Sequence, residues 1–141
     1  MNRKSSDLIV ALVGSLLAVI LVSMISGCAG NYIKNVKGWK PYSDSGIKAT
    51  CGDVLDKYIS SCKWTQEDHP NGVSHDIYAS GLLGGHAAIM RFYVNESRKT
   101  ISWGVKSFTI DDEEEDGETW LANFFDAYNQ GFESMADYFS D

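Results

Sequence analysis

The sequence predicts an α+β domain behind an N-terminal apolar helix, and three observations lead there. Leu8 to Ile25 is an uncharged apolar run preceded by Arg3 and Lys4. Val54, Leu55, Tyr58 and Ile59 recur at helical spacing, whereas from Val73 onward apolar and polar residues alternate. Near the C terminus the apolar spacing returns to three and four. These shifts of period give the order α-β-β-β-α after a signal or anchor helix, with a three-stranded antiparallel meander packed by helices.

A run such as Leu8–Ile25 transfers favourably out of water as a helix, and the basic residues ahead of it stay on the cytoplasmic side. The chain beyond it is therefore expected outside the cytoplasm. Ile25-Ser26-Gly27-Cys28 places an aliphatic residue and two small residues before a cysteine, and it resembles the lipobox of bacterial lipoproteins. The resemblance implies diacylglycerol on the Cys28 sulfur, cleavage just before it and acylation of the new terminus, with fatty acids of the palmitate class. Two or three buried acyl chains anchor stably where one is marginal. The alternative is an uncleaved transmembrane helix ending at an incidental cysteine. Residues 1–27 are thus a signal peptide or anchor, 28–46 the lipidated cysteine and a tether, and 47–141 the domain. Ala29, in place of aspartate, permits sorting to an outer membrane by the same resemblance, which leaves the outer and plasma membranes both open.

The chain has 141 residues and a net charge of −7. Without the first 27, roughly 114 residues remain, enough for one core. An acidic surface repels phosphate backbones, so nucleic acid is not an expected partner. Gly38, Pro41 and Gly46 break any pattern in the tether, where Lys34, Lys37 and Lys40 are either solvated or set against anionic lipid. Tyr32, Trp39 and Tyr42 either sit at headgroup level or fold back on the domain.

Thr50, with Asp53 three residues on, marks a helix start. Ser60-Ser61-Cys62 is expected to fray its end, and Trp64 to fold under as a lid on the core. Cys51 and Cys62 are eleven residues apart. On one continuous helix that is about 16 Å along the axis, beyond the reach of a disulfide, so free thiols are expected unless the helix breaks near Ser60. Strands follow at Ser74–Ser80, Ala87–Val94 and Thr100–Ile110, with a glycine-bearing reversal over residues 81–85 and a polar turn over 95–99. Phe108 and Ile110 fall out of phase with Ile101, Trp103 and Val105, which predicts a bulge near Lys106-Ser107.

The acidic run Asp111–Glu118 is read as a solvated turn that sets negative charge before the next helix. Asp112, Glu114 and Asp116 match part of a calcium loop, but Asn123 stands where the bidentate glutamate belongs. They are kept as a weak calcium candidate. The last helix, about Thr119 to Phe139, carries an aromatic stripe, with Gly131 a point at which it divides in two. Its second half, with Phe132, Met135, Tyr138 and Phe139, is the candidate partner-binding surface if it overruns the sheet. His69, His75 and His86 lack metal-ligand spacing, and no cofactor motif is present.

Thr50, Gly52, Tyr58, Trp64, Gly81, Phe92, Val94 and Gly117 resemble the pattern of a small uncharacterised domain found in bacterial lipoproteins and membrane-tethered proteins. A looser likeness exists to small α/β lipoproteins that scaffold outer-membrane assembly. Neither resemblance implies an activity. The expectation is an envelope lipoprotein that binds or scaffolds another protein; the alternatives are a small enzyme built on a histidine and an acid, and calcium-dependent binding through residues 111–118.

Overall fold

The computed structural model describes residues 31–141. The apolar run and Cys28 lie outside the described residues, and the choice between lipid and helical anchor lies there too. Among the described residues no helix is long and apolar enough to cross a membrane.

Five antiparallel strands, in sequential order, form one sheet: β1 (Ser60–Asp68), β2 (Ser74–Leu83), β3 (His86–Glu96), β4 (Ile101–Ile110) and β5 (Glu113–Glu115). Helices α1 (Ile33–Lys37), α2 (Cys51–Tyr58) and α3 (Gly117–Gln130) contribute to one core with one face of the sheet, and α4 (Met135–Ser140) folds back on α3. The α+β class holds, but the meander has five strands where three were expected. Strand β1 escaped because its inward positions are Trp64, Gln66 and Asp68, opposite Ala79, Ile77 and His75. Two of these three are polar, so the alternation of strand faces leaves no hydropathy signal. Helix α2 stops at Tyr58 because Ile59 is already extended, and Ser61 turns the chain with φ 53°. Trp64 still packs on the core, stacked 6.0 Å from Phe92, but as a strand residue.

Strand β5 is the second addition. Asp111 and Asp112 reverse the chain with φ 49° and 67°, after which Glu113–Glu115 pair with Ile110–Phe108. The expected solvated turn is thus a short sheet edge, whose exposed glutamates oppose pairing with another chain. Asp116 does set negative charge at the start of α3, accepting from the Glu118 N–H and the Thr119 hydroxyl. The β4 bulge falls where expected: the register passes from Arg91 opposite Ser107 to Phe92 opposite Val105, leaving Lys106 as the extra residue.

Two glycines meet close approaches. A Cβ at Gly81 would lie 2.4 Å from the Ser60 carbonyl oxygen, and one at Gly117 would lie 2.6 Å from Val105 Cγ1. Gly81 therefore lies within β2, where β1 begins against it, and the reversal itself is Gly84-Gly85, both at positive φ.

The core joins Ile77, Ala79, Met90, Phe92, Val94 and Phe108 of the sheet to Val54, Leu55, Leu121, Phe124 and Phe125 of the helices. Phe108 meets Phe124 edge-on at 5.7 Å and 88°. The stretch expected to be a tether belongs to this core from Tyr32 onward: Tyr32 is 8 % exposed, Val36 is fully buried, and Tyr42 meets Phe125 at 5.0 Å. The aromatic residues of that stretch have folded back on the domain.

Candidate functional site

The loop joining β1 to β2 is held by its own side chains. The Asn71 carboxamide oxygen accepts the Val73 and Ser74 N–H groups, and the His69 N–H donates to the Ser74 carbonyl. Such a loop fixes His69, whose Nε2 stands 2.7 Å from Asp76 Oδ2. Asp76 faces away from the helices; the Arg91 guanidinium donates to its Oδ2 at 2.6 Å, and Lys106 Nζ lies 3.6 Å from Oδ1. The bulge supplies that lysine, since the extra residue re-aims it. Burial alone would raise the Asp76 carboxyl, but the hydrogen bonds from Arg91 and His69 and the charges of Arg91 and Lys106 outweigh it and hold it below the usual carboxylate range.

A second pair lies on the helix-covered face of the same end. His75, 2 % exposed, places Nδ1 2.6 Å from Asp68 Oδ1 and Nε2 3.5 Å from Glu96 Oε1, with its ring 4.7 Å from Tyr32. Gln66 joins the chain to this pair, donating to Asp68 and accepting the Tyr32 N–H. His69, His75, Asp76, Tyr93 and Lys106 line one open depression of about 470 Å³.

All three histidines are therefore bonded to carboxylates, but only His69 and His75 share one end of the sheet; His86 is bonded to Asp111 at the opposite end. The ring nitrogens named above face carboxylates rather than hydroxyls or thiols. His69 is partly exposed beside Asp76, and among the described residues no hydroxyl or thiol is hydrogen-bonded to its ring. The helix does break before Ser60, placing Cys51 on α2 and Cys62 on β1, and both cysteines are nonetheless free; burial pushes each thiol up to about 12, with the Asp56 charge adding to the effect at Cys62. At neutral pH they are protonated and unreactive.

Among the described residues no three His, Cys, Asp or Glu side chains are placed to hold a metal ion. Asp112 sits in the turn, Glu114 in β5, and Asp116 caps α3, so the calcium candidates are not brought together. The aromatic candidates are mostly tucked in. Gly131 ends α3 at φ 82°, and α4 returns against it. Met135 is 5 % exposed, the Tyr138 hydroxyl donates to Asp126 at 2.7 Å, and the Tyr58 hydroxyl donates to the Phe132 carbonyl. Phe139 remains 54 % exposed, its ring 5.4 Å from Trp120.

The histidine pairs were missed because β1 was missed. Once β1 and β2 are read as a hairpin, Asp68 falls opposite His75, and His69, just beyond β1, comes within reach of Asp76. Comparison with family models, curated proteins and solved structures finds no match to this chain.

Proposed function

We propose that this protein is a membrane-anchored envelope lipoprotein that works by binding another protein. The observation that carries the anchor is Ile25-Ser26-Gly27-Cys28 at the outer end of an uncharged run, with a folded domain beginning a few residues later. Binding is favoured over catalysis because the imidazoles are paired with carboxylates and the thiols are held protonated. Intact mass of protein purified from its native membrane, beside a Cys28→Ser variant, tests the anchor. A chain beginning at Cys28 with diacylglycerol attached supports the reading, and an unmodified chain retaining residues 1–27 overturns it in favour of a helical anchor.

The partner surface is Phe139 with the exposed edges of Phe132 and Tyr138. Removal of residues 132–141 is expected to abolish capture of the partner; a truncated protein that still captures it refutes this assignment. One observation favours a second reading, a small enzyme using His69 with Asp76: that hydrogen-bonded pair borders an open depression. Turnover of ester, phosphoester or glycoside substrates that His69→Ala abolishes would establish it, and no turnover across the three classes would dismiss it.

A further inference from the structure

Tyr32 is a fixed point. Its N–H is bonded to Gln66, its ring lies on His75, and α1 behind it is pressed on α2, where a Cβ at Gly52 would lie 3.1 Å from the Lys37 carbonyl oxygen. It lies four residue steps beyond Cys28, and extended chain spans at most about 3.6 Å per residue, so a lipid on Cys28 is held within about 14 Å of Tyr32. A helical anchor ending near Ile25 gives a limit of about 25 Å. A domain of this size is roughly 35 Å across, from a radius of gyration of about 13 Å. Either leash is shorter than the domain, so the end bearing Tyr32 is kept close to the anchor.

That end has a distinct surface. Gln66 and His75 place it where β1 and β3 finish and β2 and β4 begin, so it also carries the 69–73 and 97–100 loops. Val73 is 46 % exposed and Ile101 44 %, while Lys34, Arg98 and Lys99 are exposed and form no ion pair among the described residues. Of the acids nearby, Asp76 faces Arg91 and Lys106, Asp68 is hydrogen-bonded to His75 and Gln66, and Asp53 and Asp56 share a depression with Lys34 and Lys37. Glu67 takes the Tyr78 hydroxyl. At the opposite end the turn after β4 presents Asp112 and Glu113, both exposed. A cationic rim around two apolar tips suits an anionic headgroup layer, and an acidic turn is repelled by one.

We propose that the end of the sheet formed by the 69–73 and 97–100 loops, with Lys34, is a docking surface for anionic lipid headgroups, so that the domain stands on the membrane with its acidic turn outward. The proposal rests on the anchor reading but holds for a lipid or a helical anchor. Val73 and Leu82 flank the two ends of β2 and are equally exposed, 46 % each. Full-length protein with its own anchor, in a Cys62→Ser background, is labelled at Val73→Cys or Leu82→Cys and inserted into phosphatidylcholine vesicles with or without phosphatidylglycerol. A headgroup-borne nitroxide is expected to quench the Val73 label several-fold more than the Leu82 label, most strongly with phosphatidylglycerol. Reversal of Lys34, Arg98 and Lys99 to glutamate is expected to reduce that quenching at least twofold. Equal quenching in protein that floats with the vesicles overturns this orientation alone, whereas protein that does not float overturns the anchor as well. Biased quenching that charge reversal leaves unchanged overturns anionic headgroups as the occupant.

Discussion

The two faces of the sheet are built on different chemistry. The face under the helices joins Ile77, Met90, Phe92 and Phe108 into one apolar cluster. The other carries Glu67, Asp76, Tyr78, Arg91 and Lys106, with the Arg91 guanidinium 5.5 Å above the Tyr78 ring and bonded to Asp76. Apolar burial is additive and tolerant of exchange, whereas a charged network depends on every member having its partner. The first face supplies most of the stability. The second ties β2, β3 and β4 together at the end of the sheet that carries Tyr32.

Breaking the apolar face should have the largest effect. Phe92→Ala removes a fully buried ring from beneath Trp64 and is expected to cost about 3–5 kcal/mol in urea unfolding. Asp76→Ala, on the polar face, leaves Arg91 and Lys106 facing each other without their shared carboxylate and is expected to cost about 2 kcal/mol. A loss as large as that of Phe92→Ala would make the polar face an equal contributor. The network also has a pH signature. Because the folded carboxyl of Asp76 sits below its ordinary 3.8, its contribution is fully present above that value and is lost as pH falls through the lower folded one. Melting followed from pH 5 downward should therefore fall more steeply for the wild-type protein than for Asp76→Asn.

Smaller changes sharpen the contrast. Thr50→Ala breaks the reciprocal cap with Asp53 at the start of α2 and is expected to cost about 1 kcal/mol without altering the polar face. Lys106→Ala removes an exposed ammonium 3.6 Å from Asp76, for which about 0.5 kcal/mol is expected, reduced further by salt. A loss unaffected by salt would indicate that the bulge geometry, rather than the charge, supports Asp76.

Legibility in the sequence followed the same division. The start of α2, the strands of the central meander, the bulge at Lys106 and the break at Gly131 were each marked by capping, alternation or a glycine, because those signals act over a few residues. Strand β1 was not, since its inward Gln66 and Asp68 take partners on other elements, Tyr32 and His75. For the same reason the pairing of His69 with Asp76 was hidden until the hairpin register set them together.

The sequence by itself determined the class of the domain, its acidity and the lipobox-like pattern at Ile25-Ser26-Gly27-Cys28, all of which depend on composition and near neighbours. Tertiary structure alone decided that residues 32–42 are core rather than tether, because burial of Tyr32 and Val36 requires a surface made by residues some 20 to 90 positions away. It also decided that the aromatic end of the chain folds inward. The Tyr58 hydroxyl reaches the Phe132 carbonyl across 74 residues, and no local pattern specifies such a contact.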